Sequence, residues 1–197
     1  MRAVFLYGMT GSGKTIRAVM LAVRDFMFGR QIYGNLHFKL IPYTYIEIPD
    51  LIDMVLHKEI DNTPKTLILD EIHTAFDGRR SSSRQNINLS HFVSQCRKRG
   101  FNIIYTSQFI TGADPRMRVL TDKLVQCIPS FNLNDVGYGD LENPEPTKIT
   151  YLSTHPQYPD KIKKKTIKRD VLRHFYDFYN TYEIIRPELS YAMGGET

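Results

Sequence analysis

The chain of 197 residues, 42% hydrophobic and 24% charged, is long enough to bury a core and has the composition of a soluble globular domain. Its two cysteines, Cys96 and Cys127, belong to no Cys/His cluster, which argues against a disulfide framework or a zinc site and favours a reducing cytoplasm. No apolar run reaches the length of a signal peptide or a membrane span, so no membrane insertion is expected. The net charge of +5 suits a polyanionic partner or, equally, simple solubility.

Short apolar runs and helical stripes alternate over the first two thirds of the chain. The predicted elements, in chain order, are a strand at 2–7, a helix with the apolar stripe 16–27, a strand at 31–38, a helix from 49, a strand at 66–69, a polar loop at 77–88, a helix with the stripe 89–96, and strands at 101–105 and 123–128. This alternation predicts an α/β fold with a mainly parallel sheet and helices on both faces.

The sequence changes character at residue 129. Asn, Asp, Gly and Pro dominate up to residue 146, and strand-like runs at 148–152 and 162–168 then predict a β-hairpin. A last helix from Asp170 is predicted to bury an aromatic stripe made of Phe175, Phe178, Tyr179 and Tyr182. We expect a single domain over 1–197, with about 129–197 as a C-terminal appendage packed on it.

A phosphate-binding loop follows the first predicted strand. Its residues are Gly8, Met9, Thr10, Gly11, Ser12, Gly13, Lys14 and Thr15, which match the pattern G-x-x-x-x-G-K-[ST]. The glycines let backbone N–H groups curl around phosphate oxygens, and the following helix directs its positive end at the same anion. Lys14 is predicted to reach the β- and γ-phosphates of ATP, and the Thr15 hydroxyl to hold Mg²⁺.

An acidic pair, Asp70-Glu71, ends the predicted strand at 66–69. Asp70 at the carboxyl end of a buried strand is suited to bind Mg²⁺ through water, and Glu71 is suited to orient and polarise an attacking water as a general base. The alternative is a solvated pair of acids at a strand end. The position of the pair after a P-loop favours the catalytic role.

A polar residue, Gln108, follows the predicted strand at 101–105. At this strand end its amide could hydrogen-bond the γ-phosphate or the attacking water. The alternative is an ordinary loop glutamine.

These elements, in this order, resemble the FtsK–HerA superfamily of P-loop ATPases, including the Zot-like proteins and the viral genome-packaging ATPases. The resemblance covers about 2–128 and is carried by the P-loop, the acidic pair, and the motifs Arg97-Lys98-Arg99-Gly100, Thr106-Ser107-Gln108, Arg116-Met117-Arg118 and Thr121-Asp122. The small size looks most like the packaging ATPases of turreted icosahedral archaeal viruses.

That resemblance implies a three-layer sandwich whose central sheet has the order 5-1-4-3-2. It also implies a homo-oligomeric ring that hydrolyses ATP to pump double-stranded DNA into a preformed capsid. The protein would then act in the cytoplasm of an infected host cell, at a capsid vertex, and could stay associated with the virion.

Ring ATPases commonly complete each site with an arginine from the neighbouring subunit, which stabilises charge on the γ-phosphate. Arg97 and Arg99 end the helix before the strand at 101–105, where related motors place such a residue. The polar loop supplies a rival set consisting of Arg79, Arg80 and Arg84. The basic residues at 97–99 could instead simply complement the dipole of their helix.

A dense run of positive charge occupies 161–169 and includes Lys163, Lys164 and Lys165. These lysines are candidates for contacting DNA phosphates without regard to sequence. A solvated face of the hairpin explains them equally well.

Other functions share parts of this pattern. A nucleotide kinase has a P-loop but needs no strand-end Glu followed by a Gln. A Zot-like assembly or secretion ATPase would use ATP to drive filament extrusion through a membrane, and a helicase would need a strand-separating element. ATP is expected rather than GTP because no Asn-Lys-x-Asp motif is present.

Overall fold

The computed structural model describes residues 2–57, 61, 63–72, 84–112, 115–131 and 146–179, apart from the side chains of 57, 84–90, 112 and 116. The strands are β1 (Ala3–Tyr7), β2 (Gln31–Gly34), β3 (Thr44–Tyr45), β4 (Lys65–Leu69), β5 (Asn102–Ser107), β6 (Lys123–Ser130), β7 (Lys148–His155) and β8 (Tyr158–Lys168). The helices are α1 (Lys14–Met27), α2 (Ile48–His57), α3 (Arg84–Lys98), α4 (Pro115–Val119) and α5 (Arg169–Tyr176), with a short 3-10 helix at Ile110–Gly112.

One sheet with the order β3-β2-β4-β5-β1-β6-β7-β8 forms the centre of the protein. Strands β1 to β6 pair in parallel, and the pairs β6–β7 and β7–β8 are antiparallel. The five strands β2-β4-β5-β1-β6 have the predicted order 5-1-4-3-2, read from the opposite edge. The predicted α/β fold class is therefore confirmed, with β3 added at one edge and the hairpin β7–β8 continuing the same sheet at the other.

The sheet lies between two layers of helices. Successive residues along each buried strand point to opposite faces of the sheet, so apolar side chains cover both faces and each face packs against helices. One face packs against α1 and α5, through residues such as Leu6, Ile68, Ile104, Val19 and Leu172. The other face packs against α2, α3 and α4, through residues such as Phe5, Leu67, Ile103, Leu51 and Phe92. Both faces are buried, which explains why the central strands read as continuous apolar runs.

Several predicted boundaries were wrong. The stretch 84–88 belongs to α3 and is not a loop, because it contains no Gly or Pro to oppose a helix. Helix α5 ends at Tyr176, so the aromatic stripe does not lie on one helical face. Tyr179 lies beyond the helix and forms an antiparallel bridge with Phe38, and Tyr182 lies outside the described residues.

A buried carboxylate, Asp25 of α1, ties together the amino ends of three strands. It is 2% exposed and pairs with Arg2 at 3.0 Å and with Arg24 at 2.8 Å. It also accepts hydrogen bonds from Thr66 of β4 at 2.9 Å and Asn102 of β5 at 2.8 Å. This network lies at the edge of the sheet opposite the P-loop and anchors α1 to the core.

Candidate active site

The P-loop spans the turn from β1 to α1 at the carboxyl edge of the sheet. Gly13 caps α1 in the left-handed region, with φ 84°, and its carbonyl accepts the Arg17 N–H at 3.1 Å. The positive φ favours glycine at this position, and a Cβ on Gly13 would displace the terminal methyl of Ile149 of β7. The amino end of α1 is thereby held where its backbone N–H groups can bind an anion.

Strand β7 also packs along the first turns of α1. The Arg17 guanidinium lies over the Tyr151 ring, 5.0 Å from its centroid, and burial lowers the pKa of Arg17. The C-terminal hairpin is thus in direct contact with the P-loop and its helix.

Lys14 is buried at the floor of the loop, with 4% of its surface exposed. Its Nζ donates hydrogen bonds to the carbonyls of Gly8 at 3.0 Å and Met9 at 3.2 Å. The same Nζ lies 3.5 Å from Oε1 of Glu71. The predicted phosphate-binding cation and the predicted base are therefore neighbours.

Asp70 follows β4 on the face of the sheet that packs against α1. Its carboxylate lies 3.3 and 3.5 Å from the Thr15 hydroxyl and accepts a 2.7 Å hydrogen bond from Thr106. Burial raises the pKa of the Asp70 carboxyl from 3.8 to about 6, opposed by the hydrogen bond from Thr106, while the Glu71 charge raises it further. The two predicted metal ligands, Thr15 and Asp70, thus meet.

The oxygen atoms of Thr15 and Asp70 fit Mg²⁺, which prefers hard oxygen ligands and keeps several waters or phosphate oxygens in its shell. Among the residues that the structure describes, no group of three or more His, Cys, Asp or Glu side chains could hold a metal by itself. A site with two protein ligands is what a metal shared with nucleotide phosphates requires.

Glu71 adopts a left-handed backbone conformation with φ 50°, the one such non-glycine residue in the described part of the chain. Its N–H donates to the Thr106 hydroxyl at 2.8 Å. The side chain is 22% exposed and is directed towards Lys14. It is therefore accessible to a water in the site.

The structure adds a residue directly after β2 that was not predicted to belong to the site. Asn35 accepts the Asp70 N–H at 2.7 Å and donates its own amide to the Asp70 carbonyl at 3.0 Å. Thr106 belongs to the motif Thr106-Ser107-Gln108, but the sequence predicted no separate role for it. The alternation Ile104, Thr106 along β5 could have placed Thr106 on the Asp70 face, whereas no local signal identifies Asn35.

Gln108 directly follows β5, which lies between β4 and β1 in the sheet. Its half-buried side chain thus starts between the acidic pair and the P-loop, at the same edge. Its role in sensing phosphate or water remains a prediction.

The arginines at the end of α3 lie away from this site. Arg97 pairs with Asp122 at 3.0 Å, and the Asp122 N–H bonds the carbonyl of Ala3 at the amino end of β1. The five residues of β1, at about 3.3 Å each, separate this point from the P-loop of the same chain. Arg99 ends the same helix region, Arg79 and Arg80 lie outside the described residues, and Arg84 begins α3.

Lys163, Lys164 and Lys165 are exposed on β8, the edge strand of the sheet. They pair in register with 151–153 of β7. Within the described part of the chain β8 has no strand on its outer side, and these lysines do not enter the nucleotide site.

The family model described as "Zonular occludens toxin (Zot)" matches residues 2–171. The chain belongs to the Zot family. The resemblance to P-loop ATPases related to the viral packaging ATPases is confirmed by this match together with the structural neighbours below.

Three solved structures illustrate the likeness of the fold. The N-terminal domain of zonular occludens toxin from Neisseria meningitidis is 21% identical, with TM-score 0.62 over 90% of this chain and 98% of that chain. The genome packaging NTPase B204 from Sulfolobus turreted icosahedral virus 2, in complex with ATP-gammaS, is 13% identical, with TM-score 0.54 over 85% and 97%. The flagellar accessory protein FlaH from Methanocaldococcus jannaschii is 12% identical, with TM-score 0.55 over 85% and 84%.

Comparison with curated protein sequences gives no match. Among the described residues, no helix combines the length and the apolar character needed to cross a membrane.

Proposed function

We propose that this Zot-family protein hydrolyses ATP with Mg²⁺. The observation that carries the proposal is the convergence of Lys14, Thr15, Asp70 and Glu71 at the carboxyl edge of the sheet, with the Lys14 Nζ 3.5 Å from Glu71 and the Thr15 hydroxyl 3.3 Å from Asp70. Solved structures of B204, which shares this fold, are complexes with AMPPCP and with ATP-gammaS, which supports an adenine nucleotide as the ligand.

Each side chain has a distinct role in the proposed reaction. The loop amides and Lys14 bind the phosphates, and Glu71 accepts a proton from the attacking water as general base. Gln108 is proposed to orient that water or the γ-phosphate. Thr15 and Asp70 would hold Mg²⁺, which would neutralise charge on the phosphate oxygens.

We further propose that hydrolysis moves double-stranded DNA, as in packaging of a viral genome. Support comes from B204, described as a DNA-packaging ATPase, and from the cations exposed on β8. Strand β8 carries five lysines and one aspartate, so it presents a net positive edge suited to phosphates. The working form would be a homo-oligomeric ring, acting in the infected cell at a capsid vertex and remaining with the virion.

The decisive experiment is ATP hydrolysis with and without long double-stranded DNA, over a series of salt concentrations. We expect DNA to stimulate hydrolysis whatever its base sequence, and we expect the stimulation to decline as the salt concentration rises, because the contacts go to phosphates.

Neutralising Lys163, Lys164 and Lys165 together should make the stimulation by DNA depend less steeply on the salt concentration. A charge-matched control that neutralises Lys39, Lys98 and Lys123 should leave this dependence unchanged, and a flat salt response would point to another partner.

The Zot family match favours a second candidate, an ATPase that drives assembly and extrusion of a filament. The match spans 2–171, and the Neisseria meningitidis Zot domain is covered over 98% of its length. This candidate predicts hydrolysis that double-stranded DNA does not stimulate. Phosphate release with water as the acceptor would exclude a nucleotide kinase, and absence of strand separation would exclude a helicase.

A further inference from the structure

We infer that Asn35 and Thr106 are positioning residues that hold the Asp70-Glu71 pair in its hydrolytic geometry from the carboxyl ends of β2 and β5, the two strands flanking β4. This inference rests on the proposed ATPase function. We call the two residues the strand-end clamp.

Thr106 connects both acidic residues through one hydroxyl group. It donates its single proton to Oδ1 of Asp70 at 2.7 Å and accepts the backbone N–H of Glu71 at 2.8 Å. The residue is fully buried, so water does not compete for either bond. The side chain of one acid and the backbone of the next are therefore fixed by the same atom.

The backbone of Glu71 needs such support. A φ of 50° is unfavourable for a residue with a Cβ, and such conformations persist only where surrounding contacts hold them. The bond from the Glu71 N–H to Thr106 is a contact of this kind. Without it, the backbone would be free to relax and the carboxylate would leave its place beside Lys14.

Asn35 fixes the same turn from the other side. The β2–β4 ladder ends at the pair Gly34 and Ile68, and a Cβ on Gly34 would collide with the Ile68 carbonyl. Beyond this close approach the Asn35 amide replaces the ladder, with one hydrogen bond to the N–H and one to the carbonyl of Asp70. Both peptide planes that flank Asp70 are thereby held.

The opposite ends of the same strands offer a matched control. Thr66 of β4 and Asn102 of β5 are buried like the clamp residues and donate hydrogen bonds to an aspartate, Asp25, at 2.9 and 2.8 Å. Removing the Thr66 hydroxyl breaks a bond to an aspartate carboxylate, as removing the Thr106 hydroxyl does, and removing the Asn102 amide breaks a buried side-chain amide bond in the same sheet. Thr66 and Asn102 lie at the amino edge, away from Glu71.

The test compares Thr106→Val and Asn35→Ala with Thr66→Val and Asn102→Ala in the full chain. Melting temperature, affinity for AMPPCP, and kcat and KM for ATP are measured for each. We expect similar losses of melting temperature in both sets, but a fall in kcat of about 10–100-fold only in the clamp variants, with analogue affinity and KM nearly unchanged. Thr106→Ser should recover most of kcat because it keeps the hydroxyl.

Equal kcat in Thr106→Val and Thr66→Val would overturn the clamp while leaving the ATPase standing. Absence of phosphate release from the wild-type protein would reject the ATPase itself and the clamp with it. If Thr106→Val does not fold, Asn35→Ala against Asn102→Ala decides by the same criterion. A drop in kcat that Thr106→Ser does not recover would also contradict the inference, since it would show a requirement for the methyl group.

Discussion

The Lys14 ammonium lies 3.5 Å from the Glu71 carboxylate and donates hydrogen bonds to two carbonyls of the P-loop. One buried cation therefore contacts the proposed base directly and is placed to contact phosphate as well. In the proposed reaction, a γ-phosphate would compete with Glu71 for this cation, so that nucleotide binding and the freedom of the base are linked.

Lys14→Ala should weaken binding of ATP and abolish turnover. A hydrogen bond to a charged group contributes about 1.5–3 kcal/mol, so the loss of affinity should be about 10–100-fold. Calorimetric titration with ATP-gammaS measures it, with Lys39→Ala on the exposed surface as control. Unchanged affinity in the Lys14 variant would show that the loop does not hold phosphate.

We expect substitution of Asp70 to have opposite effects on the stability of the fold and on ATP hydrolysis. The pKa of Asp70 is raised from 3.8 to about 6, so the folded protein holds this proton more tightly than the unfolded chain. The resulting stabilisation is complete below about pH 4 and is lost as the pH rises through about 6. Asp70→Asn should therefore raise the melting temperature at pH 8, by the equivalent of about 3 kcal/mol at most, and far less at pH 4.

The same substitution should abolish hydrolysis because an amide is a poor ligand for Mg²⁺. The pKa of about 6 belongs to Asp70 before Mg²⁺ binds, so kcat/KM for ATP at limiting Mg²⁺ should rise with pH through about 6 as Asp70 ionises. Thermal unfolding and phosphate release, each measured at a series of pH values from 4 to 8 for the wild type and the variant, check the two effects. A variant that is less stable than wild type at pH 8 would contradict the assignment.

Features that are local in the sequence could be predicted. The P-loop and the acidic pair are contiguous motifs, and the strand–helix alternation predicted a mainly parallel sheet. The order of the five central strands was implied by the resemblance to the FtsK–HerA superfamily and did not come from the alternation. Contacts between strands could not be predicted in the same way. Asn35 and Thr106 reach Asp70 because β2 and β5 flank β4 at a particular register, and neither residue stands in a motif that indicates this contact.

The Asp25 network could not be predicted from the sequence for the same reason. Its partners come from residue 2 and from two strands that are distant in sequence, and a lone acid in an amphipathic helix looks like a surface residue. The length of β7 and β8 was also underestimated, since their exposed polar residues weaken the period-two pattern.

Asp25→Ala should destabilise the fold by about 3–5 kcal/mol, because it leaves buried donors and the paired Arg2 without their carboxylate. Urea denaturation measures this loss. Asp160→Ala, on the exposed edge strand, serves as the control and should change stability by no more than about 0.5 kcal/mol. A loss below about 1 kcal/mol in the Asp25 variant would show that the network is not a structural anchor.

A residue from the neighbouring subunit is predicted to complete each site. Arg97 lies at the amino edge of the sheet, where it cannot reach the P-loop of its own chain. Mixing an Arg97→Ala, Arg99→Ala double variant with Glu71→Gln should restore part of the hydrolysis, since some neighbouring pairs regain an intact composite site. Specific activity should also rise with protein concentration as the ring assembles.

Zero recovery in mixtures shown to co-assemble would reject Arg97 and Arg99 as residues that act across the subunit boundary. The same mixing experiment would then be applied to the rival set Arg79, Arg80 and Arg84.

Glu71→Gln provides the most direct test of Mg-dependent hydrolysis at this site. The amide keeps the shape of the side chain and removes the base, so binding of ATP-gammaS should match wild type while phosphate release falls by about 10²–10⁴-fold. Single-turnover phosphate release, with each protein in excess over ATP and Mg²⁺ saturating, measures the difference. Retained turnover in the variant would contradict the account, because hydrolysis would then proceed without Glu71.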